Sequence, residues 1–212
     1  MGKMSGKKTT ITKSRYYLKG MEKIHPFKSI VLLFQLISII ILGFLIFNFE
    51  IRIAGEETHF SEIKFSDIFY ISTLILFSTL FYSNRLHQFF KEEDLSRIKK
   101  NYYLLLLISS TFIVLQMVSV YMFQVDNKEI ASESFSSYIL LLISFHLVHL
   151  ILSIVMIILL LFRLINTVED PVKMLVYVTN PFEKLLIEIE QMTWNYQVAL
   201  WLVIYLYILL RF

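Results

Sequence analysis

His146 and His149 lie one helical turn apart inside a stretch, Ser134 to Phe162, that holds no Asp, Glu, Lys or Arg. Ionisable residues in so apolar a setting mark ion, cofactor or proton sites when they carry function. Three chemistries use such a pair. Haem takes axial ligands on opposite faces of its ring, and two imidazoles on one face of one helix cannot clamp a single porphyrin. Two stacked haems need ligands far apart along the helix. A metal ion accepts two ligands from residues three apart but needs a third and a fourth. No other charge-free stretch supplies His, Cys, Asp or Glu, and His25, His59 and His87 fall outside these stretches. A proton relay needs a chain of titrating groups, and interior carboxylates are missing. The reading adopted is structural: both imidazoles neutral and hydrogen-bonded to neighbouring helices or another subunit, at about 0.6–2 kcal/mol per bond.

Other polar residues in the apolar stretches fit the same role. Gln116 and Gln197 are expected to bond between helices. Trp194, Trp201 and Tyr205 are spaced by seven and four, which puts them on one helix face as a packing stripe rather than an interfacial belt. No Gly-rich phosphate loop, nucleotide motif or Ser-His-Asp set occurs. The chain has no Cys, so disulfides, thiolate nucleophiles and sulfur-bound metals are excluded. Five Gly in 212 residues leave no basis for close glycine-mediated helix contacts. Bulky helices of Leu, Ile and Phe suit a scaffold better than a transporter, which uses broken helices and glycine hinges.

The elements that position these residues follow from composition. Hydrophobic residues make up 57% of the chain and charged ones 17%, below the roughly 25% of soluble domains. Five windows lack Asp, Glu, Lys and Arg: Ser29–Phe49, Ile68–Asn84, Asn101–Val125, Ser134–Phe162 and Gln191–Leu210. A span needs roughly 17–25 apolar residues, and lipid-exposed backbone must satisfy itself as helix. The expectation is an all-α bundle of five transmembrane helices, spanning about 29–49, 67–84, 101–125, 134–163 and 190–210, after a basic segment 1–28. The second span is the weakest. With no Pro or Gly between Phe65 and Lys100, it is expected to continue as a charged helical stretch. Pro171 should end the helix leaving span four, and Asn180-Pro181-Phe182-Glu183 reads as a capped helix start that runs on into span five.

Lys and Arg number eight in 1–28, five in 85–100 and three in 163–190, against four on the opposite side, which places the N-terminus in the cytoplasm and the C-terminus outside. The first span is too long for a cleaved signal and lacks a small-residue site after it. The basic segment reads as a positive-inside anchor on anionic lipid, not a nucleic-acid site.

The segment Ile143-Ser-Phe-His146-Leu-Val-His149-Leu-Ile-Leu-Ser153 resembles the signature helix of haem–copper oxidase subunit III, Thr-Gly-Phe-His-x-x-His-Val-x-x-Gly. Ser72-Thr73 with Ser78-Thr79 is similar to that family's Asn/Ser-Thr start. Gln116-Met-Val-Ser119 resembles its Gln-x-x-Glu. Trp194 and Trp201 with Tyr205 resemble its Tyr-Trp-His-Phe-x-Asp-x-x-Trp and downstream Tyr. The resemblance covers about residues 65–212 in the family's order and matches the short, five-helix bacterial form. Ser119 stands where the family has a membrane-embedded Glu, Asn195 where it has His, and Val198 where it has Asp, so a part in proton uptake does not carry over.

The resemblance implies a non-catalytic accessory subunit in a bacterial inner membrane. Such a chain packs against catalytic subunit I, holds phospholipid in its cleft and binds no haem or copper itself, those groups residing in partner subunits. Gln116, Ser119, His146, His149, Trp194, Asn195, Trp201 and Tyr205 are then structural, subunit or lipid contacts. The resemblance implies a complex that is a cytochrome c oxidase, within a larger respiratory supercomplex, or alternatively a quinol oxidase or nitric oxide reductase. A small transporter or channel is the reading from a different class, and it needs polar residues lining a path.

Overall fold

The computed structural model describes residues 25–53, 65–127 and 133–211, without the side chains of residues 53, 133 and 134. Most of the basic segment, residues 1–24, lies outside the described residues, as do residues 54–64, which include His59, and residues 128–132 and 212. The described secondary structure is entirely helical: α1 (Pro26–Ile53), α2 (Asp67–Lys91), α3 (Leu95–Asp126), α4 (Glu133–Val168), α5 (Pro171–Thr179) and α6 (Pro181–Arg211).

Among the described residues, four stretches are long and apolar enough to cross a membrane: Pro26–Arg52, Leu95–Asp126, Phe135–Val168 and Pro181–Arg211. Helix α2, expected as a span, is 25 residues long but is not among them. Ser72, Thr73, Ser78, Thr79, Ser83 and Asn84 dilute its apolar content. Ser72, Thr73, Thr79 and Ser83 are buried, whereas Leu74 is 70% exposed and Phe81 55%. A helix with hydroxyls inside and large apolar residues outside reverses the pattern of a soluble protein.

The caps follow local chemistry. Ser66 accepts a hydrogen bond from the Ile68 N–H at the start of α2. Asp170 accepts from Val172 and Lys173 ahead of α5, and Asn180 accepts from Phe182 ahead of α6. Pro171 and Pro181 each occupy a first helical position, where no N–H is needed.

The expected continuity from Phe65 to Lys100 is corrected by a sharp turn. Helix α2 stops at Lys91 and α3 starts at Leu95. The Asp94 N–H donates to Phe89 O (3.0 Å) and the Glu93 N–H to Phe90 O (3.2 Å), the paired bonds of a Schellman ending. Glu93 holds the left-handed position, φ 57°, that usually takes glycine. Asp94 then caps α3 through the Arg97 N–H at 3.0 Å. The reversal needs no Gly or Pro because it is closed by these backbone bonds and by Leu95 and Ile98, both buried.

Two compact units divide the chain after Ser38. In the first, the start of α1 exposes Ile30, Leu33, Phe34 and Ile37, and the Ser38 hydroxyl is within 3.1 Å of the Phe34 and Gln35 carbonyls. In the second, α2, α3, α4 and α6 form a ring. Helix α2 packs on α3 and α6, α4 packs on α3 and α6, and α5 lies against α4 and α6. Phe49 is fully buried beside Phe135, Tyr138 and Tyr207. Glu50 accepts a 2.6 Å bond from the Tyr207 hydroxyl and pairs with Arg211 at 3.1 Å. Gly43, the one glycine among the described residues, has no atom within 4 Å of where a Cβ would sit, so it serves no close helix approach.

A left-handed non-glycine residue costs about 1–2 kcal/mol. Glu93→Gly should therefore raise the unfolding midpoint in detergent by about 2–4 °C. A lowered midpoint would show that the Glu93 side chain stabilises the turn by more than its backbone strain.

Candidate functional site

The polar residues of the ring converge on one seam. On α6, Trp194 and Trp201 are 1% and 0% exposed. The Trp194 indole N–H donates to Thr79 Oγ1 at 2.8 Å, and that of Trp201 to Thr73 Oγ1 at 3.1 Å. Each threonine hydroxyl donates in turn to its own helix, Thr73 to Phe69 O and Thr79 to Leu76 O. Both Trp–Thr pairs are thus satisfied within the protein, as burial demands. The pairs also set α2 antiparallel to α6.

His146 is fully buried in the same seam. Its ring centroid lies 4.6 Å from that of Trp201 and 5.7 Å, edge-on, from that of Phe112. Phe112 meets Trp201 edge-on at 5.5 Å. The expected imidazole hydrogen bond to another helix is not made: neither ring nitrogen of His146 has a partner among the described residues. The link runs through its backbone, whose carbonyl accepts from Gln197 Nε2 at 3.1 Å. The aromatic cage occupies the space where a polar partner would sit. His149 turns back to its own helix, with Nδ1 2.8 Å from Phe145 O.

The other expected contacts are distributed along the seam. Gln116 Oε1 accepts from the Ser72 hydroxyl at 3.0 Å, joining α3 to α2. Ser119 is buried one turn further on. Asn195 Nδ2 and Gln191 Nε2 both donate to Asn84 Oδ1 at 3.1 Å. Tyr205 stacks on Phe69 at 5.6 Å and meets Tyr70 edge-on at 6.3 Å. Chemically, this seam binds helix to helix. No group of three or more His, Cys, Asp or Glu is placed to hold a metal ion among the described residues.

Sequence reasoning missed a second polar group, nearer the start of α6. Glu190 is 2% exposed, and neither carboxylate oxygen has a hydrogen-bond partner among the described residues. Tyr102 and Ser83 are fully buried, and their hydroxyls likewise have none. Glu183, also buried, pairs with the half-exposed Arg163 at 3.0 Å. Tyr177 on α5 packs edge-on against Phe90. Burial, then the neighbouring Glu183 carboxylate, pushes its phenol above the usual range, with Arg163 opposing. The available signal was Glu190 itself, which abuts a charge-free window and reads as its boundary. Only packing reveals it as interior.

No protein-family model matches the chain, and no curated protein matches it.

His146→Phe keeps the aromatic contacts and removes two unpartnered nitrogens, so stability should hold or rise by about 1 kcal/mol. His146→Ala should lose about 2–4 kcal/mol through the cavity left beside Trp201. Thermal unfolding of the two variants checks the order. A phenylalanine variant less stable than the alanine one would mean that the imidazole nitrogens are bonded in the working protein.

Proposed function

We propose that the chain is a non-catalytic accessory subunit of the haem–copper oxidase subunit III type, five-spanning, in a bacterial inner membrane. Its role is to pack against the catalytic subunit I and stabilise it, with haem and copper held in partner subunits. One observation carries the reading. The segments that resemble subunit III sit on four separate helices, and their residues touch one another: Thr73 and Thr79 with Trp201 and Trp194, Ser72 with Gln116, and His146 with Trp201. A chance likeness of short motifs gives no reason for such convergence. The polar side chains are turned inward and used between helices, and the outward faces are apolar, as suits a bracing subunit.

The five-span reading rests on α2 lying alongside helices apolar enough to cross. Bonds hold it to α3 and α6 from Ser66, which meets Met122, to Asn84, which meets Gln191. A helix so tied crosses with its neighbours. Phospholipid would sit on the outer face of α3, where Ser96, Lys99, Lys100, Tyr103, Leu104 and Leu107 line a shallow groove. Its two lysines suit an anionic headgroup and its leucines the acyl chains.

Two experiments test this. Extraction in mild detergent should bring the tagged chain down with a haem-bearing subunit, whose haem types then separate cytochrome c, quinol and nitric oxide as substrate. The chain purified alone should show no haem spectrum, and a haem spectrum there would refute the accessory role. For topology, the Cys-free chain accepts single reporters. Cysteines at Lys8, Glu93 and Leu175 should label only from the cytoplasm, and those at Glu57 and Phe212 only from outside. Reporters at Lys8 and Phe212 labelling from the same side would leave four crossings.

A further inference from the structure

Three independent registers bring Ser83, Tyr102 and Glu190 to one level of the ring. Thr79 faces Trp194 and Asn84 faces Gln191, so Ser83 lies beside the turn of α6 that carries Glu190. Asn101 Nδ2 donates to Tyr82 O at 3.2 Å, which sets Tyr102 beside Ser83. Phe112 and Trp201 touch, and Tyr102 and Glu190 precede them by ten and eleven residues. At 1.5 Å per residue both lie about 15–17 Å below that contact on parallel helices. Tyr102 is within electrostatic range of Glu190, Tyr177 and Glu183.

We propose that Glu190, Tyr102 and Ser83 form a proton-binding pocket that exchanges with the aqueous side through Tyr177 and the Glu183–Arg163 pair. All three pocket side chains are at least 98% buried, and their oxygens have no partner among the described residues. An unpaired carboxylate held away from water is costly as an anion and is relieved by taking up a proton. A phenol and a serine hydroxyl can each accept from the resulting acid or donate to the carboxylate, so they serve both states. Tyr102 on α3 has Glu190, Tyr177 of α5 and Glu183, two turns earlier on α6, within electrostatic range. Glu183 pairs with Arg163 of α4, and His87, one turn past Ser83 on α2, has a buried Nδ1 without a partner among the described residues. Arg163 is half-exposed and pairs with Glu183, which lies within electrostatic range of both Tyr102 and Tyr177. The pocket depends only on the four-helix ring. It is tested on the isolated chain, so its failure is distinct from failure of the oxidase reading.

The test is infrared difference spectroscopy on the full chain in lipid nanodiscs, with perfusion switched between acidic and alkaline buffer. The wild-type chain should show a protonated-carboxyl band that disappears at alkaline pH and shifts in deuterated buffer. Glu190→Gln should abolish that band, Glu183→Gln should retain it, and Tyr102→Phe should move its frequency. Should the Gln variant fold poorly, Glu190→Asp must still displace the band. Absence of a titrating band in the wild-type chain, or its survival in Glu190→Gln, overturns the proposal. Loss of the band on adding sodium at constant pH also overturns it, since the carboxylate would then be a sodium site.

Discussion

A threonine on a membrane helix has one hydroxyl proton and usually spends it on the carbonyl one turn back. What remains is a lone pair, and only a donor can face it without penalty. Thr73 and Thr79 are in that state, and the groups opposite them are tryptophan indoles, which donate and cannot accept. The match is chemical as well as geometric. Trp194 and Trp201 are seven residues apart and the threonines six, so two contacts on successive layers register α2 against α6. Slipping either helix by one residue rotates its side chains by about 100° and breaks both bonds. With that register set, Trp201 is presented to His146 and Phe112, and Gln197 reaches the His146 carbonyl.

The same arrangement explains why α2 escapes a test of apolarity. A helix that supplies acceptors to its neighbours must carry hydroxyls, and each hydroxyl lowers its mean hydropathy. Helix α1 does the opposite. Most of its residues between Ile30 and Phe47 are exposed and apolar, and it is the most hydrophobic of the candidate spans. Average hydropathy therefore tracks how little a helix contributes to the polar interior, as much as whether it lies in lipid.

Much of the fold was legible because its signals are local. Charge-free windows marked the long helices, Asn180-Pro181 marked the start of α6 through a side-chain cap that reaches only two residues, and Pro171 marked the end of α4, whereas the short helix α5 capped by Asp170 was not foreseen. The stripe of Trp194, Trp201 and Tyr205 could be placed on one face from spacing alone. Its partners could not, because they lie on other helices, the two threonines 115 and 128 residues away, and are fixed by packing. The turn at Glu93 was invisible for another reason: the residue at its left-handed position is not the glycine that announces such turns, and the bonds closing it belong to the backbone. Glu190 was misjudged because a charge beside an apolar window reads as the window's edge. Its burial comes from α2 and α3 closing over it, which spacing along α6 does not encode.

The ring is therefore unequal along its length. At the level of Trp201, the Trp–Thr and Ser72–Gln116 bonds join helix to helix and aromatic rings pack around the His146 imidazole, whose nitrogens have no partner among the described residues. About 15–17 Å lower, at Glu190, the aliphatic Leu86, Ile98 and Ile187 are buried at nearby positions of the same helices, and the Glu190, Tyr102 and Ser83 oxygens have no partner among the described residues. A bundle needing only cohesion gains nothing from the second environment, since an apolar residue of similar volume in place of Glu190 would remove the penalty of burying the carboxyl. The rigid layer above is what allows the polar layer below to exist: with helix register fixed by the Trp–Thr pairs, α2, α3 and α6 cannot easily slide to bring Glu190 to solvent. Stability in one layer sustains strain in the other, and the strained layer is where chemistry beyond bracing has a physical footing.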